Sequence, residues 1–223
     1  MAALDGVTVA VLGGTGPQGR GLVRRWAAAG LATVVGSRDA DRAAEVARDL
    51  AQATGGDVRG LSNADAADAG DVVVVAVPYD GHADLLRTLA GQLSGKVVVD
   101  CVNPLGFDQQ GGYPLAAPDG SAAQEAAALL PDSVVVAAFH HVSASILNDP
   151  EISSVDTDVL VLGEREHRDA TDLVRALADA IPGVRGVYAG RLRNAHQVEA
   201  LTANLIAVNR RYKVQAGLRV TGL

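Results

Sequence analysis

One cysteine, one tryptophan, two phenylalanines and four tyrosines are all that 223 residues hold of those types, and each scarcity narrows what the protein can be. The lone Cys101 can form no internal disulfide, and the first strand-like run opens at Val7 with no basic stretch and apolar signal segment ahead of it, so a cytoplasmic setting is expected. The valine-rich run Val72–Val77 is far too short to span a bilayer, so no membrane partner is expected. With 3% aromatic residues, no aromatic platform for a flavin ring is evident. Basic residues are outnumbered, 19 against 26 acidic ones, and the net charge of -7 argues against broad nucleic-acid binding. Small molecules are the partners expected.

What positive charge there is gathers at the end of the chain. From Arg191 onward, Arg191, Arg193, Arg210, Arg211, Lys213 and Arg219 face a single acid, Glu199, a local balance of +5 that leaves -12 for the rest. Such an island reads as a solvated helix face, as an ion-paired subunit contact, or as an anion site.

Hydrophobic residues make up 48% of the chain, enough for a substantial core. Strand-like runs at 7–12, 32–36, 72–77, 96–100, 133–138, 157–162 and 184–188 alternate with helical patterns near 17–29, 40–53, 79–92, 121–130, 166–180 and 193–216, with a weaker strand near 57–61. Runs such as "DVVVVAVP" and "KVVVDCV" are apolar throughout, as expected where helices cover both faces of a parallel sheet. The fold expected is α/β, a Rossmann-type doubly wound, mainly parallel sheet. The alternation stops near Gly190, which suggests a nucleotide-binding domain over 1–189 and a small C-terminal helical segment over 190–223.

The stretch "VAVLGGTGPQGRGLVRR" contains Gly14-x-Gly16-x-x-Gly19 between a strand and a helix. That spacing is a dinucleotide-binding fingerprint: glycines permit the tight turn, let backbone approach a pyrophosphate, and pack helix on strand. Alone it could be a turn and nothing more. The other polar or glycine-rich loops, "GSR", "PYDGH", "CVNP" and "FHHVSA", also follow strands, so five loops converge on the rim where an open parallel sheet binds its ligand.

An NAD-preferring site usually carries Asp or Glu at the tip of the second strand, whereas this chain reads "VVGSRDADR". Ser37 offers a hydroxyl, Arg38 a five-donor fork, and Arg42 lies one helical turn further on; together they suit the 2'-phosphate of NADP(H). The alternative is that both arginines pair with Asp39, Asp41 or Glu45. No Ser/His/Asp set, metal-spaced His/Cys cluster or paired carboxylates stand out, so neither a catalytic side chain nor a metal is expected. Asp100 and Asn103 read as loop caps, Cys101 as a small buried hydrophobe, His196 as a surface or packing residue, and His140 and His141 as structural unless the rim position makes His140 a ring contact.

The segments "VLGGTGPQGRGL", "VVGSRDADRA", "VPYDGHADLL", "VVVDCVNPL", "FHHVSA" and "NAHQVEALTANLIAVNRRYKVQAGLRV" together resemble the F420-dependent NADP oxidoreductases nearly end to end. The resemblance implies a homodimer of Rossmann domains, each with a small C-terminal helical domain contributing to the cofactor pocket and the dimer contact. It implies hydride transfer between NADP(H) and the 5-deazaflavin coenzyme F420. It also implies an NADP site using Gly14, Thr15, Gly16, Pro17, Gln18 and Gly19 at the turn and Ser37, Arg38 and Arg42 at the 2'-phosphate. Val77, Pro78, Asn103, His140, Val142 and Ala144 would line the cavity where the two rings stack. Two other readings stay open: a different NADP reductase on this scaffold, for an imine, a pyrroline or a small acid, and a non-catalytic NADP-binding sensor.

Overall fold

The computed structural model describes residues 4–223. Its centre is a set of short valine-rich strands: β1 (Thr8–Leu12), β2 (Ala32–Ser37), β3 (Val58–Ser62), β4 (Val72–Val75), β5 (Val97–Asp100) and β8 (Val134–Ala137). These six run parallel in the order β3-β2-β1-β4-β5-β8, and β9 (Thr157–Leu162) and β10 (Val184–Gly190) extend the sheet to eight strands. β9 meets β8 antiparallel through Ala137 and Leu162, and β10 pairs parallel with β9.

Alternation along the strands explains the continuous apolar runs. Val9, Val11, Val72 and Val74 belong to the core on one face of the sheet, while Ala10, Leu12, Val73 and Val75 belong to the core on the other. The helices α1 (Pro17–Ala28), α2 (Ala40–Thr54), α4 (His82–Leu93), α5 (Ala122–Leu129) and α7 (Arg168–Asp179) fill the two layers. After β10 comes the long α8 (Ala195–Tyr212). The chain then turns at Lys213, with φ of 53°, and its last residues return to β9, where the Asp158 N–H donates to the Leu218 carbonyl and Arg219 pairs with Asp156 and Asp158. Arg191 lies 3.5 Å from Glu164. Part of the basic island is therefore neutralised within the chain itself.

Three stretches of the chain differ from the sequence expectation, each for a local reason. The helix α3 (Asn63–Ala69) buries only Asn63, Ala66 and Ala67, so it has no stripe of large apolar residues to betray it, although Ser62 caps it by accepting the Asp65 N–H. A hairpin of β6 (Leu105–Asp108) and β7 (Gly111–Pro114) occupies a stretch whose glycines and prolines read as loop, and its aromatics lie over the opposing glycines: the Tyr113 ring over Gly106, the Phe107 ring over Gly112. The five-residue α6 (Ala144–Asn148) is too short to show a period.

Candidate functional site

The site begins where β1 turns directly into α1. Gly13 has φ of +74°, and a β-carbon there would lie 2.6 Å from the Ala76 carbonyl; at Gly19 it would lie 2.8 Å from the backbone of both Gly13 and Gly14. Backbone cannot move aside as a flexible side chain can, so both positions require glycine. Gly16 is the N-cap of α1, Pro17 opens the helix, no side chain caps it, and its first turn holds no acid. Its N–H groups and positive dipole end thus remain available on the rim, the condition for holding a phosphate. Gly14 and Thr15 complete this turn.

At the tip of β2, Ser37 is buried and its Oγ accepts the Asp39 N–H at 3.2 Å. Asp39 is occupied in turn: its carboxylate caps α2 by accepting the Arg42 N–H at 3.1 Å. Arg38 and Arg42 are exposed, and among the described residues neither guanidinium lies within 4 Å of a carboxylate; the pairing with Asp39, Asp41 or Glu45 does not occur. Two un-neutralised guanidinium groups beside a hydroxyl suit a dianionic phosphate.

Next to the turn lies a cavity of about 440 Å³. Gly16, Pro17 and Gln18 form one wall, Ala76, Val77 and Pro78 a second, Cys101, Val102 and Asn103 a third, and His140–Ala144 a fourth. The fifth is α8, through Thr202, Leu205, Ile206 and Asn209, none of which the sequence reading singled out as a site residue. Of the expected residues, Gly16, Pro17, Gln18, Val77, Pro78, Asn103, His140, Val142 and Ala144 meet in this cavity. Gly14, Thr15, Gly19, Ser37, Arg38 and Arg42 do not line it; they follow the rim outward from it.

The fourth wall is held from several sides. Phe139 takes the left-handed conformation, φ of 64°, and its buried ring meets Trp26 edge-on, centroids 5.5 Å apart. A non-glycine residue in that region is costly unless packing over-determines it, as it does here. Its carbonyl accepts Gln18 Nε2 at 3.3 Å. The carbonyl of His140 accepts both Asn103 Nδ2 at 2.8 Å and Thr202 Oγ1 at 3.0 Å. Beneath α6, the buried guanidinium of Arg25 donates to the carbonyls of Ile146, Leu147, Asp149 and Ile152, which closes that short helix against α1.

Electrically the cavity is neutral. Burial lowers His140 to about 4, and neither of its ring nitrogens has a partner. His141 is also lowered to about 4 by burial, and its Nε2 accepts the Leu160 N–H at 3.4 Å. Both rings are uncharged at pH 7. Burial pushes the Cys101 thiol up, and Sγ donates to the Val75 carbonyl at 3.0 Å, so it is no nucleophile. Asn103 Oδ1 is buried without a partner. These walls can exclude water and offer a few polar atoms, but they hold no acid, base or thiolate placed for covalent work. Among the described residues no three His, Cys, Asp or Glu side chains gather as a metal site.

Sequence reading missed one pair. His82, the first residue of α4, and Asp100, the last of β5, are completely buried with Nε2 2.6 Å from Oδ2. Asp100 does cap its loop as expected, Oδ1 accepting the Val102 N–H at 3.1 Å, but it carries this second bond as well. No local pattern could reveal it, because the partners sit on different strands' exits.

A family profile described as NADP oxidoreductase, coenzyme F420-dependent, matches residues 8–104. The F420-dependent NADP reductase of Methanothermobacter marburgensis is 39% identical over 223 residues, covering 96% of this chain and 98% of that protein. In structure, a protein of Arthrobacter sp. FB24 matches with a TM-score of 0.78 at 22% identity over 97% of this chain and 100% of that one. An imine reductase of Bacillus cereus BAG3X2 matches with a TM-score of 0.64 at 18% identity, with 92% of this chain and 63% of that one covered. The two structural likenesses speak for the Rossmann-type fold alone.

Proposed function

Because the chain belongs to the F420-dependent NADP reductase family, we propose that the rim from Gly14 to Arg42 holds NADP(H) and that the adjoining cavity is where its nicotinamide meets the deazaflavin of coenzyme F420. The protein is an oxidoreductase that transfers hydride between these two small molecules. One observation carries the assignment of the site: the uncapped start of α1 and the neutral cavity of about 440 Å³ share Gly16, Pro17 and Gln18, and the same turn is tied to the tip of β2, next to Arg38, by the Gly14 N–H donating to the Gly36 carbonyl at 2.9 Å.

When bound, the two rings supply the hydride donor and acceptor themselves. The protein's part is to hold, align and dry them. The N–H groups at the start of α1 receive the pyrophosphate, and Ser37, Arg38 and Arg42 the 2'-phosphate. Val77, Pro78, Val142 and Ala144 present short or rigid surfaces that let two flat rings lie face to face, and Asn103 and His140 offer polar atoms at their edges. Alignment of this kind is worth up to about 7–11 kcal/mol of barrier.

An imine-type reductase fits less well, since the relatives that this chain matches at 39–41% identity over 95–98% of their length are F420-dependent NADP reductases. Loss of the deazaflavin absorbance when the protein meets NADPH and coenzyme F420 is the expected result. Silence in that mixture overturns the assignment. Deuterium on the transferred face of the NADPH C4 should appear in the reduced deazaflavin with little washout, whereas label found mainly in water refutes direct transfer.

Two further readings belong to the proposal. The chain works as a homodimer: Leu201 and Leu205 of α8 are only half-buried, Val208 and Tyr212 are exposed, and the hairpin packed on α8 exposes Phe107 and Tyr113. A second copy covering that face would complete their burial. Light scattering that gives a monomer mass at micromolar concentration overturns this. The enzyme works in the cytoplasm, in keeping with a free, buried Cys101 and with the absence, among the described residues, of any helix long and apolar enough to cross a membrane.

A further inference from the structure

A group of ionisable side chains lies directly beneath the cavity, and hydride transfer by itself has no use for it. His82 Nε2 is 2.6 Å from Asp100 Oδ2, and on the opposite side of the ring Nδ1 faces Glu125 Oε2 of α5 at 3.7 Å; neither Nδ1 nor Oε2 has any other partner. Glu199 of α8 is 1% exposed, and its two oxygens accept the N–H groups of Ala122 and Ala123, at 3.0 and 3.2 Å, in the first turn of α5. Tyr79, in the turn before α4, lies tilted against His82 with centroids 6.2 Å apart, and its own pKa is raised, by burial first and then by Glu125, Glu199 and Asp119. The charged groups facing this spot from α4, β5, α5 and α8 are thus one imidazole and three carboxylates.

Carboxylates are not buried together without positive charge or protons to match. With Nε2–H donated to Asp100, a neutral ring would turn its Nδ1 lone pair toward a carboxylate oxygen. Protonating Nδ1 instead sets a carboxylate against each side of the ring, hydrogen-bonded at Nε2 and at 3.7 Å from Nδ1. Burial works to lower the pKa of His82, and Asp100 and then Glu125 more than offset it, so the net shift is upward. Buried burden on Glu199 is relieved differently: burial raises it to about 7, against the two α5 N–H groups that lower it.

The cluster touches three cavity walls. Asp100 Oδ1 holds the Val102 N–H, and Val102 and Asn103 line the cavity. Asn103 continues to the His140 carbonyl. Glu199 stands one helical turn before Thr202, which bonds that same carbonyl. Tyr79 directly follows the Val77–Pro78 wall.

We propose that His82 is a positioning residue for the hydride-transfer cavity: held as an imidazolium between Asp100 and Glu125, it fixes Asp100 and, through it, the wall formed by Val102 and Asn103. The kinetic consequence rests on the hydride-transfer reading above; the protonation state does not.

The test uses the full-length protein labelled with nitrogen-15 at its five histidines. Nuclear magnetic resonance should show one ring, absent in His82→Gln, with both nitrogens protonated at pH 7 and beyond, and Glu125→Gln should move its loss of the second proton to lower pH. In turnover, His82→Gln should bind NADPH within about threefold of the parent yet reduce coenzyme F420 at saturation at least about tenfold more slowly, because the phosphate-holding rim is untouched while ring alignment is lost. A His82 ring that is neutral at pH 7, or a His82→Gln variant with parental turnover, overturns the proposal. Should His82→Gln fail to fold, Glu125→Gln carries both readouts, with turnover expected to fall as pH rises past the new titration point and a flat profile counting against the idea. A parent protein inactive toward coenzyme F420 would defeat the hydride-transfer reading alone, since the resonance data still decide the charge on His82.

Discussion

Asn103 and Thr202 donate to one and the same acceptor, the carbonyl of His140, at 2.8 and 3.0 Å. One donor comes from the exit of β5 and the other from α8, so a single main-chain oxygen ties three walls of the cavity together. Losing either donor leaves the oxygen satisfied by the other; losing both leaves it buried and unpaired. Asn103→Ala and Thr202→Val should each cost about 0.5–1.5 kcal/mol, and the double variant should exceed their sum by about 1 kcal/mol. Urea unfolding of the four proteins measures this, and simple additivity would show that the oxygen is not shared in solution.

Cofactor choice should follow the tip of β2. Since no carboxylate competes for Arg38, Arg38→Ala should weaken NADPH binding by about 2 kcal/mol, the scale of one charge-assisted contact to phosphate, and hardly alter NADH. Ser37→Glu should repel the phosphate and shift preference toward NADH. Titration of both nucleotides checks this, and equal losses for the two in Arg38→Ala would make the arginine structural.

Stability should fall on mild acidification. His140 and His141 are lowered from 6.5 to about 4 by burial, so between those values the unfolded chain binds more protons than the folded one. Their contribution is complete above pH 6.5 and is lost as pH falls toward 4, on the order of 3 kcal/mol for each ring. Glu199, raised to about 7, works in the opposite sense: the folded chain binds the extra proton between 4.5 and 7, which softens the slope. Denaturation at pH 7 and pH 4.5 should show a smaller acid loss for His140→Leu than for the parent protein. An equal loss in both would mean that His140 is not held neutral.

Arg25 is 8% exposed and satisfies four carbonyls around α6, while burial lowers its own pKa. Arg25→Met keeps the stem but abandons those oxygens, and should destabilise the protein by about 3 kcal/mol in chemical denaturation. It should also loosen Ala144, the first residue of α6 and part of the cavity wall, so turnover should fall more than NADPH affinity. A change below about 0.5 kcal/mol would show that water replaces the guanidinium freely.

The amino-acid sequence by itself determined the features that arise within a few residues of one another. Valine runs apolar at every position demand cover on both faces and so a parallel sheet; Gly19 sits where a β-carbon would strike the backbone of Gly13 and Gly14 just before it; "GSR" puts hydroxyl and guanidinium groups at a strand tip with the nearby acid used as a helix cap. Each is a constraint of backbone geometry or local spacing, which a linear string expresses. The resemblance implied that the C-terminal helix contributes to the pocket, but the tertiary structure alone decided that it does so through Thr202 and Leu205, that His82 meets Asp100, and that Asn103 and Thr202 share an oxygen. Those partners lie on different elements and are joined by burial, not by spacing, and a histidine or aspartate reads the same in a string whether it faces water or another charge. The alanine-faced α3 and the glycine-rich hairpin escaped for the related reason that their packing depends on what lies opposite them: close neighbours that accept a methyl group, and aromatic rings that cover bare backbone.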